Sequence, residues 1–167
     1  MEKYKELISN AKKKIHVADY MLTMTYPFVK DPKLLLVILE NIFLAIANAI
    51  GSVLYYEKTF KRIPAFKDSF ASKFNIFKEK IAVRYKIKQE YTDMIQEVGE
   101  IILEHKKSPV EFTRKNSFVI CSDDYKMWTI STDKIRSYIN KSKSFVNIID
   151  NIIKKNQEIL KKSIKNF

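Results

Sequence analysis

Metal and nucleophilic chemistry in a small protein begins with histidine, cysteine and clustered carboxylates. This chain holds only His16, His105 and Cys121 of the first two kinds. A zinc site needs three or four such ligands at short spacing, and none of these three stands near another. Cys121 closes the apolar run Phe118 to Cys121, where a thiol reads as a small buried hydrophobe rather than a nucleophile. Carboxylates are better represented: Glu90, Asp93, Glu97, Glu100 and Glu104 recur three and four residues apart, on one face of a helix. Carboxylate-bridged metal centres between helices also require Glu-x-x-His on facing helices, a pattern absent here. The stripe therefore predicts a solvated face or partners for lysines on another helix. Gly51 and Gly99 sit inside helical patterns rather than in a phosphate-cradling loop, and read as close helix contacts. No catalytic residue, metal ligand or cofactor is assigned.

Charge supplies the next candidates. The formal net charge is +12 over 167 residues, which ordinarily points to nucleic acid or an anionic surface. Arginine, the residue of bidentate phosphate and base recognition, occurs only at Arg62, Arg84, Arg114 and Arg136. The excess of Lys, Ile, Asn, Phe and Tyr has the look of an A/T-rich genome. Basic clusters fall at Lys12 to Lys14, Lys58 to Arg62, Lys78 to Lys88, at Arg114 and Lys115, and along the last helix, where Lys154, Lys155, Lys161 and Lys162 stand. Those last four, with Arg114 and Lys115, are the candidate nucleic-acid contacts.

Elements must position these groups, and the patterning predicts helices. Leu7, Ala11, Ile15, Ala18 and Leu22 form one stripe of a first helix, about Lys3 to Thr25. Pro27 then disfavours helix at Tyr26. Asp31 reads as an N-cap, with Pro32 opening a second helix. Residues 34 to 56, LLLVILENIFLAIANAIGSVLYY, are apolar enough to span a bilayer. At 100° per residue, however, Glu40, Asn41, Asn48, Gly51 and Ser52 gather with Lys33 and Lys58 within about a third of the circumference. That grouping predicts a core helix rather than a membrane span. Its polar stripe, Glu40, Asn41, Asn48 and Ser52, faces solvent or lines an interface or buried network.

Phe66, Phe70, Phe74, Phe77, Ile81 and Tyr85 make an apolar stripe of a third helix. Tyr91, Met94, Ile95, Val98 and Ile102 continue in a different phase, so a break is expected between Arg84 and Gln89. Phe118 to Cys121 and Lys126 to Ile130 read as a small hairpin around SDDY. A cap at Ser131, Thr132 or Asp133 then opens a long amphipathic helix of about 50 Å. Ser142, Asn156 and Ser163 interrupt its seam, so the last turns are expected to extend past the rest of the fold.

The opening pair, YKELISNAKKKIHVADYML and KLLLVILENIFLAIANAIGSVLYYE, resembles the first antiparallel helix pair of HEPN-type bundles over residues 4 to 60. Members of that family act as ribonuclease toxins, nucleotidyltransferase partners or non-catalytic dimerising modules. The ribonuclease signature, Arg followed by His after four to six residues, is absent, so the resemblance implies a non-catalytic member. Arg84 and His105 are the least implausible pair for a nuclease.

The expectation is thus an all-α fold, an antiparallel bundle of four to five helices with a small β-hairpin inserted at about residues 108 to 131. It forms one domain over residues 1 to 167. The lone cysteine and the absence of an apolar h-region at the N-terminus place it in the cytoplasm. The expected role is association with itself or a protein partner, with RNA or DNA binding through the basic last helix as the alternative.

Overall fold

The computed structural model describes residues 2–107 and 110–166. Among the described residues, five helices and a three-stranded antiparallel sheet make up the fold. Helix α1, residues 3–29, joins Lys3–Tyr20, a π-helical turn Met21–Thr25 and Tyr26–Val29. The expected break before Pro27 is overturned, because Tyr26 is helical (φ −57°, ψ −40°) and the chain runs on through the proline. In the π-turn the Tyr26 N–H donates to the Met21 carbonyl, five residues back. The widened turn makes room beside the carbonyl that the pyrrolidine ring would otherwise strike. Lys30, left-handed at φ 51°, ends the helix.

Helix α2 is Lys33–Thr59. The Asp31 carboxylate accepts from the Lys33 N–H at 3.0 Å, the capping role expected of it. Leu35, Ile38, Leu39, Ile42, Ile46, Ile50, Val53 and Leu54 are fully buried. By length and composition α2 could cross a membrane, but here the chain's own elements cover those side chains. Helix α1 runs back along it: Ser52 Oγ donates to the Tyr4 carbonyl at 2.7 Å, and Gly51 faces Leu7. Ala11, Ala18, Ala45 and Ala49 are all fully buried, and such small side chains let the two helix backbones approach closely.

Helix α3, residues 70–84, comprises Phe70–Ile76, a second π-turn Phe77–Ile81, and Ala82–Arg84. Ser69 caps it, its Oγ accepting from the Ser72 N–H at 3.2 Å. Phe66 therefore precedes the helix instead of opening its stripe. Helix α4 is Gln89–Lys106, so the expected break falls at residues 85–88.

α2 and α3 end alike. The Arg62 N–H reaches the Glu57 carbonyl and the Ile87 N–H the Ala82 carbonyl, both at 3.0 Å, around left-handed Lys61 (φ 54°) and Lys86 (φ 52°). This Schellman geometry favours glycine, and a chain with two glycines places lysine there instead. Lys61→Gly and Lys86→Gly should each stabilise the fold by about 0.5–1 kcal/mol, since a side chain in this conformation is strained. A urea midpoint that falls in both variants would contradict this account.

The sheet has strands β1 Val110–Arg114, β2 Ser117–Cys121 and β3 Met127–Ile130, in the order β1-β2-β3. The expected hairpin is β2 and β3, and β1 is an addition to it. Its residues VEFTR carry a weak strand signal, with Val110 and Phe112 turned outward (69% and 41% exposed), and pairing with β2 is what recruits them. Ser108 and Pro109, where the insertion was expected to begin, lie outside the described residues. Phe118, Ile120, Trp128 and Ile130 join the same core as the helices.

Helix α5 is Thr132–Lys165, capped by Ser131 Oγ accepting from the Lys134 N–H at 3.2 Å. It crosses α1 through Lys12 to Asp150 (2.7 Å) and through Lys143 to Asp19. Its last buried residue is Ile153. Ile159 and Ile164 are 62% and 73% exposed, so the final turns overhang the core as the interrupted seam implies.

Candidate functional site

The residues singled out from the sequence do not converge on one place. On α2 the Glu40 carboxylate lies 3.6 Å from His105 Nε2 and is 46% exposed. Asn41 Nδ2 donates to the Val37 carbonyl at 3.0 Å, and Asn48 Nδ2 to the Leu44 carbonyl at 2.7 Å. Both amides thus satisfy themselves on their own helix while remaining half-buried. Ser52 alone is fully buried, as part of the α1–α2 contact. The stripe is therefore partly wet at its N-terminal end and a helix seam at the other.

The basic candidates separate into two groups. Arg114 ends β1, and Lys115, left-handed at φ 56°, makes the β1–β2 turn. Asn116 of that turn shares a cleft with Lys30 and Thr132 at the start of α5. Lys154 lies 22 residues further along α5, about 33 Å at 1.5 Å per residue. It is tied to Asp150 at 2.9 Å. Lys155, Lys161 and Lys162 are exposed and form no ion pair among the described residues.

The overhang carrying them stands beside the α3–α4 reversal and the first turn of α1. Asn156 Nδ2 donates to Tyr85 Oη at 3.0 Å and Gln157 Nε2 to Tyr4 Oη at 3.0 Å. This brings α5's terminal lysines to the same pole as Lys3, Lys5, Lys86 and Lys88.

The arginines of the other basic clusters are engaged inward. Glu57 is fully buried, and its carboxylate lies 2.8 Å from Arg84 Nη1 and 3.6 Å from Arg62 Nη1, while Tyr85 Oη donates to it. Burial, with the Glu57 carboxylate next, pushes the Tyr85 phenol above its ordinary value. Glu57 went unrecognised in the sequence. Its signal is there: 17 residues beyond Glu40, it falls about 100° off the polar stripe, on the apolar side. A charge on a buried face requires a partner, and Arg62 and Arg84 supply it.

His105 belongs elsewhere. Its Nδ1 lies 2.5 Å from Glu111 of β1, so it joins α2, α4 and the sheet through two carboxylates. Arg84 and His105 contact α2 at Glu57 and Glu40, about 25 Å apart along that helix, and do not form a pair. In the acidic stripe, Glu97 meets Lys134 at 3.0 Å and Glu100 meets Lys126 at 3.9 Å, partners on other elements. Among the described residues no group of histidine, cysteine and carboxylates is arranged to hold a metal ion.

Comparison adds no relative. No family model, curated protein or solved structure matches this chain. Its chemistry is carried by its own geometry alone.

What remains conspicuous on the surface is apolar. Val17, Tyr20, Met24 and Phe28 follow one another along α1 and are 43%, 57%, 50% and 87% exposed. The sequence signal for this row was masked by the lysines beside it, since Lys12 to Lys14 make the outer face of α1 read as uniformly polar.

Proposed function

We propose that the chain is a non-catalytic helical interaction module, its helices arranged as an antiparallel bundle that presents α1 to a protein partner. The observation that carries this reading is the exposed row Val17, Tyr20, Met24 and Phe28. Apolar groups scattered singly on a surface are ordinary, whereas a continuous row marks a contact surface. The burial of the apolar side of α2 within the chain supports a core role for that helix, and the resemblance of residues 4 to 60 to a HEPN-type helix pair fits a non-catalytic member of that class.

Lys13 and Lys30 stand near the two ends of the row. Pairing with a second copy about a two-fold axis brings these like charges together, so a partner strip with carboxylates at both ends is the better complement. Met24→Glu/Phe28→Glu should leave helicity unchanged, because both side chains already face water. The same change should abolish partner retention in affinity capture and any concentration-dependent rise in mass by light scattering. Wild type and variant behaving alike in both measurements would overturn the proposal.

One observation favours nucleic-acid binding as a second reading: Lys155, Lys161 and Lys162 form no ion pair among the described residues and stand at a pole already rich in lysine. Binding of mixed single-stranded RNA through them should fall steeply with salt. Replacing all three by Glu should flatten the log–log slope by about two, at roughly 0.7 per phosphate contact. Undetectable binding at low salt removes this reading.

A further inference from the structure

A groove of about 400 Å³ opens between α3 and α4, with Phe43 of α2 contributing to its lining. Its walls are Phe70 and Phe74, stacked with centroids 5.6 Å apart, on one side, and Ile95, Ile102 and Leu103 on the other. Gly99 keeps the passage open at its middle: a Cβ there would come within 3.3 Å of the Phe70 ring. The volume falls in the range of small-molecule sites between helices and is too small to accept a helix about 10 Å across.

The charges around the groove are unequal. Glu100 is already occupied, accepting from Gln96 at 2.9 Å and facing Lys126 at 3.9 Å. Lys78 and Lys106 form no ion pair among the described residues. Lys78 Nζ rests 4.7 Å from the centre of the Phe74 ring, over the apolar wall itself. An apolar slot with available ammonium groups at its rim complements a molecule with a long apolar body and one anionic end.

We propose that this groove binds a single amphiphilic carboxylate of medium chain length, its chain along Phe70, Phe74 and Leu103 and its carboxylate on Lys78 or Lys106. The site is independent of the α1 surface. Dodecanoate titrated into the full chain by calorimetry, below its micelle-forming concentration, should bind saturably at one site, and dodecylamine should bind at least tenfold more weakly. Leu103→Asp alters a side chain that is 56% exposed, so the fold should persist while dodecanoate affinity drops at least tenfold. Lys78→Gln/Lys106→Gln should weaken dodecanoate to a similar degree and leave dodecanol unchanged. Absence of saturable binding, equal binding of the acid and the amine, or unchanged affinity in the folded Leu103→Asp variant would each overturn the proposal.

Discussion

Arg84→Met should destabilise the protein by about 3–5 kcal/mol, a large fraction of the stability of any domain this size. The carboxylate it leaves behind is fully buried. Arg62 at 3.6 Å and the Tyr85 hydroxyl remain, but neither replaces the 2.8 Å charge contact of Arg84, and a buried charge that loses its nearest cation keeps most of its desolvation cost. Arg84 also donates to the Arg62 carbonyl at 3.4 Å, so the reversal after α2 loosens with it.

The pair itself is a different matter. Replacing both members by apolar groups removes the charge along with its partner, and such exchanges are often nearly neutral. Glu57→Met/Arg84→Met should therefore recover most of what Arg84→Met loses. Urea unfolding of the two single variants and the double variant closes the cycle. A loss of under about 1 kcal/mol in Arg84→Met would show that the Glu57 cluster is not a lock between α2 and α3.

Phe145→Ala should cost about as much, 3–5 kcal/mol, for an unrelated reason. Phe145 is fully buried on α5, with the Phe77 ring of α3 edge-on at 5.6 Å and the Tyr91 ring of α4 at 6.2 Å. Truncation leaves a cavity where three helices meet, which none of their backbones can move to fill without losing its other contacts. The melting temperature should fall by roughly 10 °C, at about 2–4 °C per kcal/mol for a chain of this length. Phe145→Leu keeps much of the volume and should lose about half as much. A melting temperature unchanged in Phe145→Ala would mean that α5 is held by its ion pairs to α1 instead.

Periodicity made the long elements readable. The seam Ile135, Tyr138, Phe145 and Ile149 located α5 and even its overhang, because apolar spacing reports directly on burial. Ser142 looked like a flaw in that seam, and it is buried with its hydroxyl on Met94 Sδ at 3.6 Å, a partner that only tertiary structure supplies. Pro27 was misread because local rules assume α-geometry on both sides of a proline, whereas the π-turn upstream removes the clash. β1 was invisible because its register depends on β2 rather than on its own residues. Of the candidate stripe on α2, the wheel position of Glu40, Asn41 and Asn48 matches their half-exposure, whereas Ser52, placed with them, is fully buried. Glu57, Arg62 and Arg84 were not joined, because 22 residues separate the two arginines in sequence and each reads alone as one more surface cation.

The π-turn in α1 also decides what the outside of the molecule is made of. In an uninterrupted α-helix Phe28, eight residues after Tyr20, would stand about 80° round the axis from it. Holding one extra residue in the turn sets everything downstream back by roughly 100°, which returns Phe28 to the line of Tyr20 and Met24. Loss of a single exposed residue such as Thr23, by a deletion that restores α-geometry, would put Phe28 seven residues after Tyr20, again about 20° from its line, and so keep the row. A codon lost at this point of the helix shortens the chain without turning Phe28 away from Tyr20, whereas α-geometry regained at full length would turn it about 80° away.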